Sequence, residues 1–486
     1  MSLPFVIPAQ NGVVLSGGAG GGAGGGAGGG AEFTPAALVE RLADLENLLL
    51  ALDPALPIGV VGDNSPAWLL ADLALLSAGR CAVPIPAFFS PDQVRHLVSE
   101  TGIQFVFFNG HFVPVAQVFP YLPDVPAAAM PPLLPLGTQK ITFTSGTTGN
   151  PKGVCLTTEQ QMATVNGLAK VLGELGVTRH LSLLPLAVLL ENIAGIYVPL
   201  SLGAQCIVPP LAEVGLSGSS SFDVERCLDA IGRYQAESII LLPQMLQAIV
   251  WQAKPADSRL ASLKFVAVGG GTTPLAVLKR AEQIGLPVFE GYGLSECASV
   301  VSLNSPSAKR LGSVGKPLPG VAVRLAADGE IEVKGRGYAG LLGEPALPTQ
   351  SWISTGDLGA IDQDGFLRIA GRKKNVLITS FGRNVSPEWP EGLLMESGLL
   401  AQVVVMGDGE AALSAVLVPN SPKLEAQQLA AAVAEVNAHL PDYAQIARWV
   451  ISPEPFSPAN GLATVNGRPR REAITQRFSE SCQPAA

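Results

Sequence analysis

Short apolar runs alternate with amphipathic stretches over the first three hundred residues. IGVVG (58–62), AVPI (82–85) and QFVFF (104–108) are compact apolar runs bounded by turn-forming residues, the signature of buried strands. Between them, residues 66–78 and 91–101 read as helices, and residues 35–52 space their apolar side chains at helical intervals. The rhythm returns at SIILL (238–242), FVAV (265–268) and PVF (287–289), each followed by Pro, Gly or Ser. Strand and helix in alternation predict parallel sheets covered by helices.

The texture changes after about residue 310. VAVR (321–324) and EIEV (330–333) alternate with period two around Asp328-Gly329, a hairpin signal that predicts a β subdomain. Past Gly371, short strands at 402–406 and 413–418 and a helix near 426–440 read as a small α+β domain. The chain therefore divides into an N-terminal segment (1–34), a large α/β domain (35–371) and a small domain (372–486). SGGAGGGAGGGAGGGA (16–31) is low-complexity, buries no side chains and is set aside as a flexible linker.

Composition narrows the function. A net charge of −9 over 486 residues argues against a nucleic-acid backbone as partner. Cysteines at 81, 155, 206, 227, 297 and 482 form no C-x-x-C pair and read as reduced thiols of a cytoplasmic protein. No basic region followed by an apolar core opens the chain, so no signal peptide is expected. The most apolar stretch, 181–211, is broken by Glu191-Asn192 and four prolines. It reads as a buried helix and strand rather than a membrane span, with peripheral membrane contact left open.

ITFTSGTTGNPKGV (141–154) carries the most chemistry. Ile141, Thr142 and Phe143 end a strand. Gly146, Gly149 and Gly153 let a ligand approach the backbone. Thr144, Ser145, Thr147 and Thr148 add hydroxyls beside turn N–H groups, and Lys152 adds a cation, a set suited to a phosphate. The G-x-x-x-x-G-K-[ST] pattern fails here, and Gly291-Tyr292-Gly293 runs into Leu294-Ser295-Glu296, not into a G-x-G-x-x-G fingerprint. P-loop kinases and dinucleotide-binding dehydrogenases lose their main support.

The stretch instead resembles the signature loop of the acyl-adenylate-forming enzymes: acyl- and aryl-CoA synthetases, luciferase-like enzymes and peptide-synthetase adenylation domains. Long-chain acyl-CoA synthetases are the most similar. The resemblance implies that residues 144–149 and Lys152 grip the β- and γ-phosphates of ATP. Further motifs follow in order. VGGGTTP (268–274) brings Gly269, Gly270 and Gly271 to a strand end, where the family holds adenine and bounds the acyl pocket. GYGLSE (291–296) offers Gly291, Tyr292, Gly293 and Ser295 to the nucleotide and Glu296 to Mg²⁺, which prefers oxygen ligands. STGDLG (354–359) carries Asp357, whose carboxylate suits two ribose hydroxyls. Within GRKKNVLITSFGRNVSPE (371–388), Arg372 resembles a second ribose contact and Lys374 the hinge of a mobile small domain. Gly382 resembles part of a loop lining a pantetheine channel.

The resemblance implies activation of a carboxylic acid by ATP and Mg²⁺, then transfer to coenzyme A or to the phosphopantetheine of an acyl carrier protein. Two departures matter. In LPLAVLLENIAG (184–195), Val188 stands where long-chain enzymes usually carry histidine, and no aspartate is present to hold an ammonium group. An α-amino acid is therefore disfavoured. Apolar segments near 189–200 and 241–250, with Met245 and Trp251, suggest a fatty or other hydrophobic acid. Near the C-terminus, Thr464, Gly467, Arg468 and Arg471 match a motif whose catalytic residue is normally lysine. Arg468 keeps the charge but not the point geometry of an ammonium. A catalytically weakened ATP- or acyl-AMP-binding homologue is the alternative reading.

Overall fold

Strand Ile58–Val61 runs parallel to both Ala82–Ile85 and Phe105–Phe108, as the apolar runs predict. The computed structural model describes residues 3–8, 12–18, 31–122, 133–144, 151–217, 221–348, 351–380, 382–464, 467–481 and 483–484. Among these, seven strands form one sheet in the order Gly340–Leu341, Lys152–Thr157, Thr138–Thr144, Ala82–Ile85, Ile58–Val61, Phe105–Phe108, His111–Pro114. Thr138–Thr144 and Lys152–Thr157 pair antiparallel, with Thr144 opposite Lys152, so the ends of the phosphate-loop motif are brought side by side. The helix Pro91–Thr101 beside this sheet opens with a Ser90–Gln93 capping box and ends at Gly102 in the left-handed region.

A second sheet runs Lys316–Pro317, Ser302–Leu303, Val288–Tyr292, Phe265–Val268, Ser238–Leu241, Arg179–Leu181, Gln205–Val208, Leu15–Gly17, Glu32–Phe33. Its central strands are parallel, and their C-terminal ends deliver the 269–271 and 291–296 motifs to one edge. Helix Pro66–Ser77, capped by Ser65 with proline at its first position, is buried on nearly every face. That explains its weak amphipathic pattern.

The glycine-rich tract needs a correction at its start. Ser16 and Gly17 are buried strand residues, parallel to Ile207 and Val208, and Glu32–Phe33 pairs antiparallel to the same strand. Composition misses this because ladder hydrogen bonds come from the backbone and need no side chain. The apolar stretch 181–211 is the expected buried helix and strand, with a π-helix at Glu191–Tyr197 running into Val198–Ser201. Glu191 is fully buried, with His180 Nε2 3.1 Å from its Oε1. Among the described residues no helix is long and apolar enough to cross a membrane.

A buried polar knot lies where helix, sheet and π-helix meet. Lys140 Nζ donates to Asp72 Oδ1 at 2.9 Å, to Tyr197 at 2.8 Å and to Asn192. Tyr197 and Asn192 donate in turn to Asp72 Oδ2. Burial lowers the Lys140 ammonium, and Asp72 opposes that shift. A charge so desolvated persists only because every hydrogen it carries is taken up.

The hairpin at 328–329 forms as expected and leads a four-stranded sheet: Ala322–Leu325, Glu330–Lys334, Ile353–Ile361, Leu367–Arg372. Beyond it the small domain builds its own cores around the strands Leu400–Met406, Leu413–Pro419 and Ile446–Ile451 and the helix Ala426–His439. Arg471 clamps this domain through a bidentate pair with Glu391, both contacts at 2.6 Å. Five cysteines are free and buried, whereas Cys482 lies outside the described residues.

Candidate active site

Five predicted residues from five separate motifs meet in one cleft. Asp357 and Arg372 face each other across adjacent strands, and Arg372 Nε lies 2.8 Å from Asp357 Oδ1. Tyr292 donates its hydroxyl to Asp357 Oδ2 at 2.7 Å. Arg468, on the small domain, donates from Nη2 to the Gly270 carbonyl at 2.7 Å. Gly270 takes φ +82°, a conformation that L side chains rarely adopt.

The electrostatics of this cleft are lopsided. Burial raises the Asp357 carboxyl, while Arg372, Tyr292 and Arg468 pull it back down. Arg468 remains exposed to solvent, yet enclosure by the cleft lowers its guanidinium, and Arg372 lowers it further. Lys374, exposed but partly desolvated, is likewise lowered by that desolvation, by Arg372 and by Arg468, with Glu472 opposing. Arg372 and Arg468 thus both act on a carboxylate already engaged twice, Lys374 stands near the same two arginines, and Glu388 and Glu472 lie at the margin. Such a field favours a polyanion.

The chain around Lys374 changes allegiance within two residues. Lys373 pairs with Asp328 at 2.6 Å and with Glu330 at 2.8 Å, both on the 322–334 hairpin of the large domain. Asn375 donates instead to Glu388 Oε1 at 2.7 Å, on the small-domain helix Glu388–Glu396. Lys374 lies between these anchors and is exposed.

Two further predicted groups form no ion pair with a described residue. Lys152 is exposed at the start of its strand and makes no ion pair with a described residue. Glu296 sits in a short 3-10 turn, Ser295–Cys297, and its carboxylate makes no hydrogen bond or ion pair among the described residues. A hard carboxylate without a described partner fits Mg²⁺, which takes few protein ligands when phosphate oxygens supply the rest.

The glycines of the motifs have several reasons. A Cβ at Gly293 would sit 1.6 Å from the Ser299 carbonyl, so internal packing demands that glycine, whereas one at Gly291 would stand a tight 3.1 Å from the Leu303 side chain. Gly269 and Gly271 have only Leu190, Pro243 and the Gly291 carbonyl within reach of an added Cβ. Thr144 ends its strand opposite Lys152. Ser145, Gly146, Thr147, Thr148 and Gly149 lie outside the described residues.

Some predicted residues are not brought to the cleft. Gly382 turns a two-stranded ribbon, φ +72°, whose contacts run to the turn at 408–410. Met245 is buried in the core. Trp251 is half-exposed and faces the small domain: a Cβ on Gly398 would lie 3.2 Å from its ring. The sequence reading also missed residues. Lys373 gave no signal apart from its basic neighbours. Lys140 did: a lysine inside an apolar strand has to find a partner.

A family profile for AMP-binding enzymes matches residues 27–343, and one for the AMP-binding enzyme C-terminal domain matches residues 374–485. The chain belongs to the AMP-binding enzyme family. It is a ligase of the AMP-forming type. A long-chain-fatty-acid–CoA ligase, FadD15, from Mycobacterium bovis is 28% identical across 86% of this chain and 85% of its own length. A 2-succinylbenzoate–CoA ligase from Bacillus pumilus is 30% identical across 56% of each chain. The fold matches that of the anthranilate CoA ligase AuaEII in complex with anthranoyl-AMP, with a TM-score of 0.77 at 18% identity over 96% of this chain and 94% of that one. O-succinylbenzoate coenzyme A synthetase from Bacillus subtilis, in complex with AMP, matches with a TM-score of 0.74 at 22% identity over 95% of both chains.

Proposed function

We propose that this AMP-binding enzyme activates a hydrophobic carboxylic acid with ATP and passes the acyl group to coenzyme A, in the cytoplasm. One acid oxygen attacks the α-phosphorus, the bond to the β-phosphate oxygen breaks, and pyrophosphate leaves. The acceptor thiolate then attacks the acyl carbon and AMP departs. The observation that carries this reading is the cationic cleft: Arg372 paired with Asp357, Lys374 near Arg372 and Arg468, and Arg468 docked on the Gly270 carbonyl.

Each side chain then has a task. Asp357 has lone pairs left beside Tyr292 and Arg372 and accepts from the ribose hydroxyls. Lys152 neutralises the departing phosphates. Glu296 holds Mg²⁺, which supplies charge to the same oxygens when bound. Arg468 offsets charge that develops at the α-phosphate, a contribution that needs preorganised donors rather than bond-making by the protein. Leu190, Leu242 and Pro243 are the side chains nearest Gly269–Gly271, and no carboxylate stands among them to hold an ammonium, which supports a hydrophobic acid over an amino acid. Between half-reactions the small domain, roughly residues 372–486, turns about Lys374. The opposite anchorage of Lys373 and Asn375 supports that pivot, and Gly382 would then come toward the acceptor.

Pyrophosphate release measured over a panel of fatty, aromatic and amino acids tests the reading. Turnover with long-chain or aryl acids and none with amino acids is expected. ATP binding without release for any acid would favour the weakened homologue.

A further inference from the structure

The Lys152 backbone is pinned on both sides. The carbonyl of the following residue, Gly153, accepts from the Leu342 N–H at 2.8 Å. The carbonyl of the preceding residue, Pro151, lies 3.0 Å from His96 Nε2. Proline has no N–H, so this carbonyl is the one polar main-chain group by which Pro151 can be held. A carbonyl only accepts, so Nε2 carries the proton in this contact.

His96 is itself held in place. It rides on the capped helix Pro91–Thr101, and its ring stands edge-on to Phe143, 6.5 Å between centroids at 86°. Phe143 lies opposite Gly153 in the antiparallel pair. Gly153 has no slack: an added Cβ would meet Leu342 at 3.0 Å and Ile141 at 3.1 Å. A cavity of about 180 Å³, lined in part by His96, Phe143, Lys152 and Leu342, runs beside this contact. Without the imidazole, open space rather than packed protein would face the Pro151 carbonyl.

We infer that His96 is a positioning residue for the phosphate lysine, fixing Pro151 so that Lys152 projects at a set angle. The inference rests on the proposal that Lys152 meets the phosphates of ATP. A long side chain with four rotatable bonds gains little from its charge if its own backbone drifts, because preorganisation is what makes the charge useful.

The test uses the full-length protein and three substitutions read against Lys152→Ala. The glutamine amide nitrogen reaches the place of imidazole Nε2, whereas that of asparagine reaches only that of Nδ1. In pyrophosphate release, His96→Leu and His96→Asn should raise the KM for ATP about tenfold, the scale of one lost intramolecular hydrogen bond. The KM for the acid should stay put, and His96→Gln should recover to within about threefold. Should His96→Leu fail to fold, the glutamine–asparagine contrast still decides. Equal behaviour of those two variants, or wild-type ATP kinetics in His96→Leu while Lys152→Ala is impaired, overturns the inference and leaves the site reading standing. Unimpaired ATP kinetics in Lys152→Ala overturn the site reading instead.

Discussion

The Arg468 guanidinium and the Gly270 carbonyl, 198 residues apart in sequence, are joined by a hydrogen bond of 2.7 Å. That contact carries the small domain onto the glycine-rich edge of the large one. It sets a cation beside Arg372, which lowers both the Arg468 guanidinium and the Lys374 ammonium. Mutual repulsion of cations in this cluster is relieved when an anion enters.

Asp357→Asn should weaken ATP more than it weakens the fold. The amide keeps the shape and can still accept from Tyr292, but it no longer balances Arg372 or accepts through both atoms. A rise of roughly ten- to a hundredfold in the KM for ATP is expected, the range for a hydrogen bond to a charged group. Steady-state kinetics and a melting curve on the same preparation check it. A large fall in melting temperature with unchanged KM would make Asp357 structural.

Glu296→Gln should blunt the response to Mg²⁺. The substitution removes the charge and leaves the 3-10 turn Ser295–Cys297 undisturbed, since the carboxylate has no described partner to lose. A magnesium titration of pyrophosphate release should shift to higher concentration. An unshifted titration would place the metal contact elsewhere.

Glu290 gives the fold a pH dependence of its own. Burial pushes its carboxyl up from 4.5 to about 8, against the Gly312 N–H and Lys309, which pull it down. The folded protein therefore keeps a proton that the unfolded chain releases. The contribution is fully present below the unfolded value, declines as pH rises between 4.5 and 8, and is lost above the folded value. Melting temperatures of wild type and Glu290→Gln, compared across that window, should diverge in favour of the variant as pH rises. Parallel curves would show that Glu290 does not hold the proton.

Much of this arrangement was legible in the sequence. The strands at 58–61, 82–85, 265–268 and 322–334 follow from apolar period and turn residues, which are local properties. The site motifs were legible because charged and glycine residues cluster at strand ends. What local patterning could not give were contacts between distant segments. Arg468 on Gly270, Tyr292 on Asp357 and His96 on Pro151 span 198, 65 and 55 residues. The strand Leu15–Gly17 was hidden for another reason, since its pairing uses only backbone groups. Trp251 misled because an aromatic residue near an apolar run packs against a neighbouring domain as readily as it lines a pocket.

The account stands or falls on Arg468, and the rates of the two half-reactions test it directly. Arg468→Ala should slow acyl-AMP formation on the order of a hundredfold or more, the usual scale for one lost charge-stabilising contact in a closed site. Transfer from supplied acyl-AMP to the thiol should change by less than about threefold, because the turned domain would have carried Arg468 away. Arg468→Lys should keep a substantial share of the first half-reaction, since the charge survives although the fork is lost. Equal losses in both half-reactions would contradict the rotation, and full adenylation by Arg468→Ala would contradict the role assigned to Arg468.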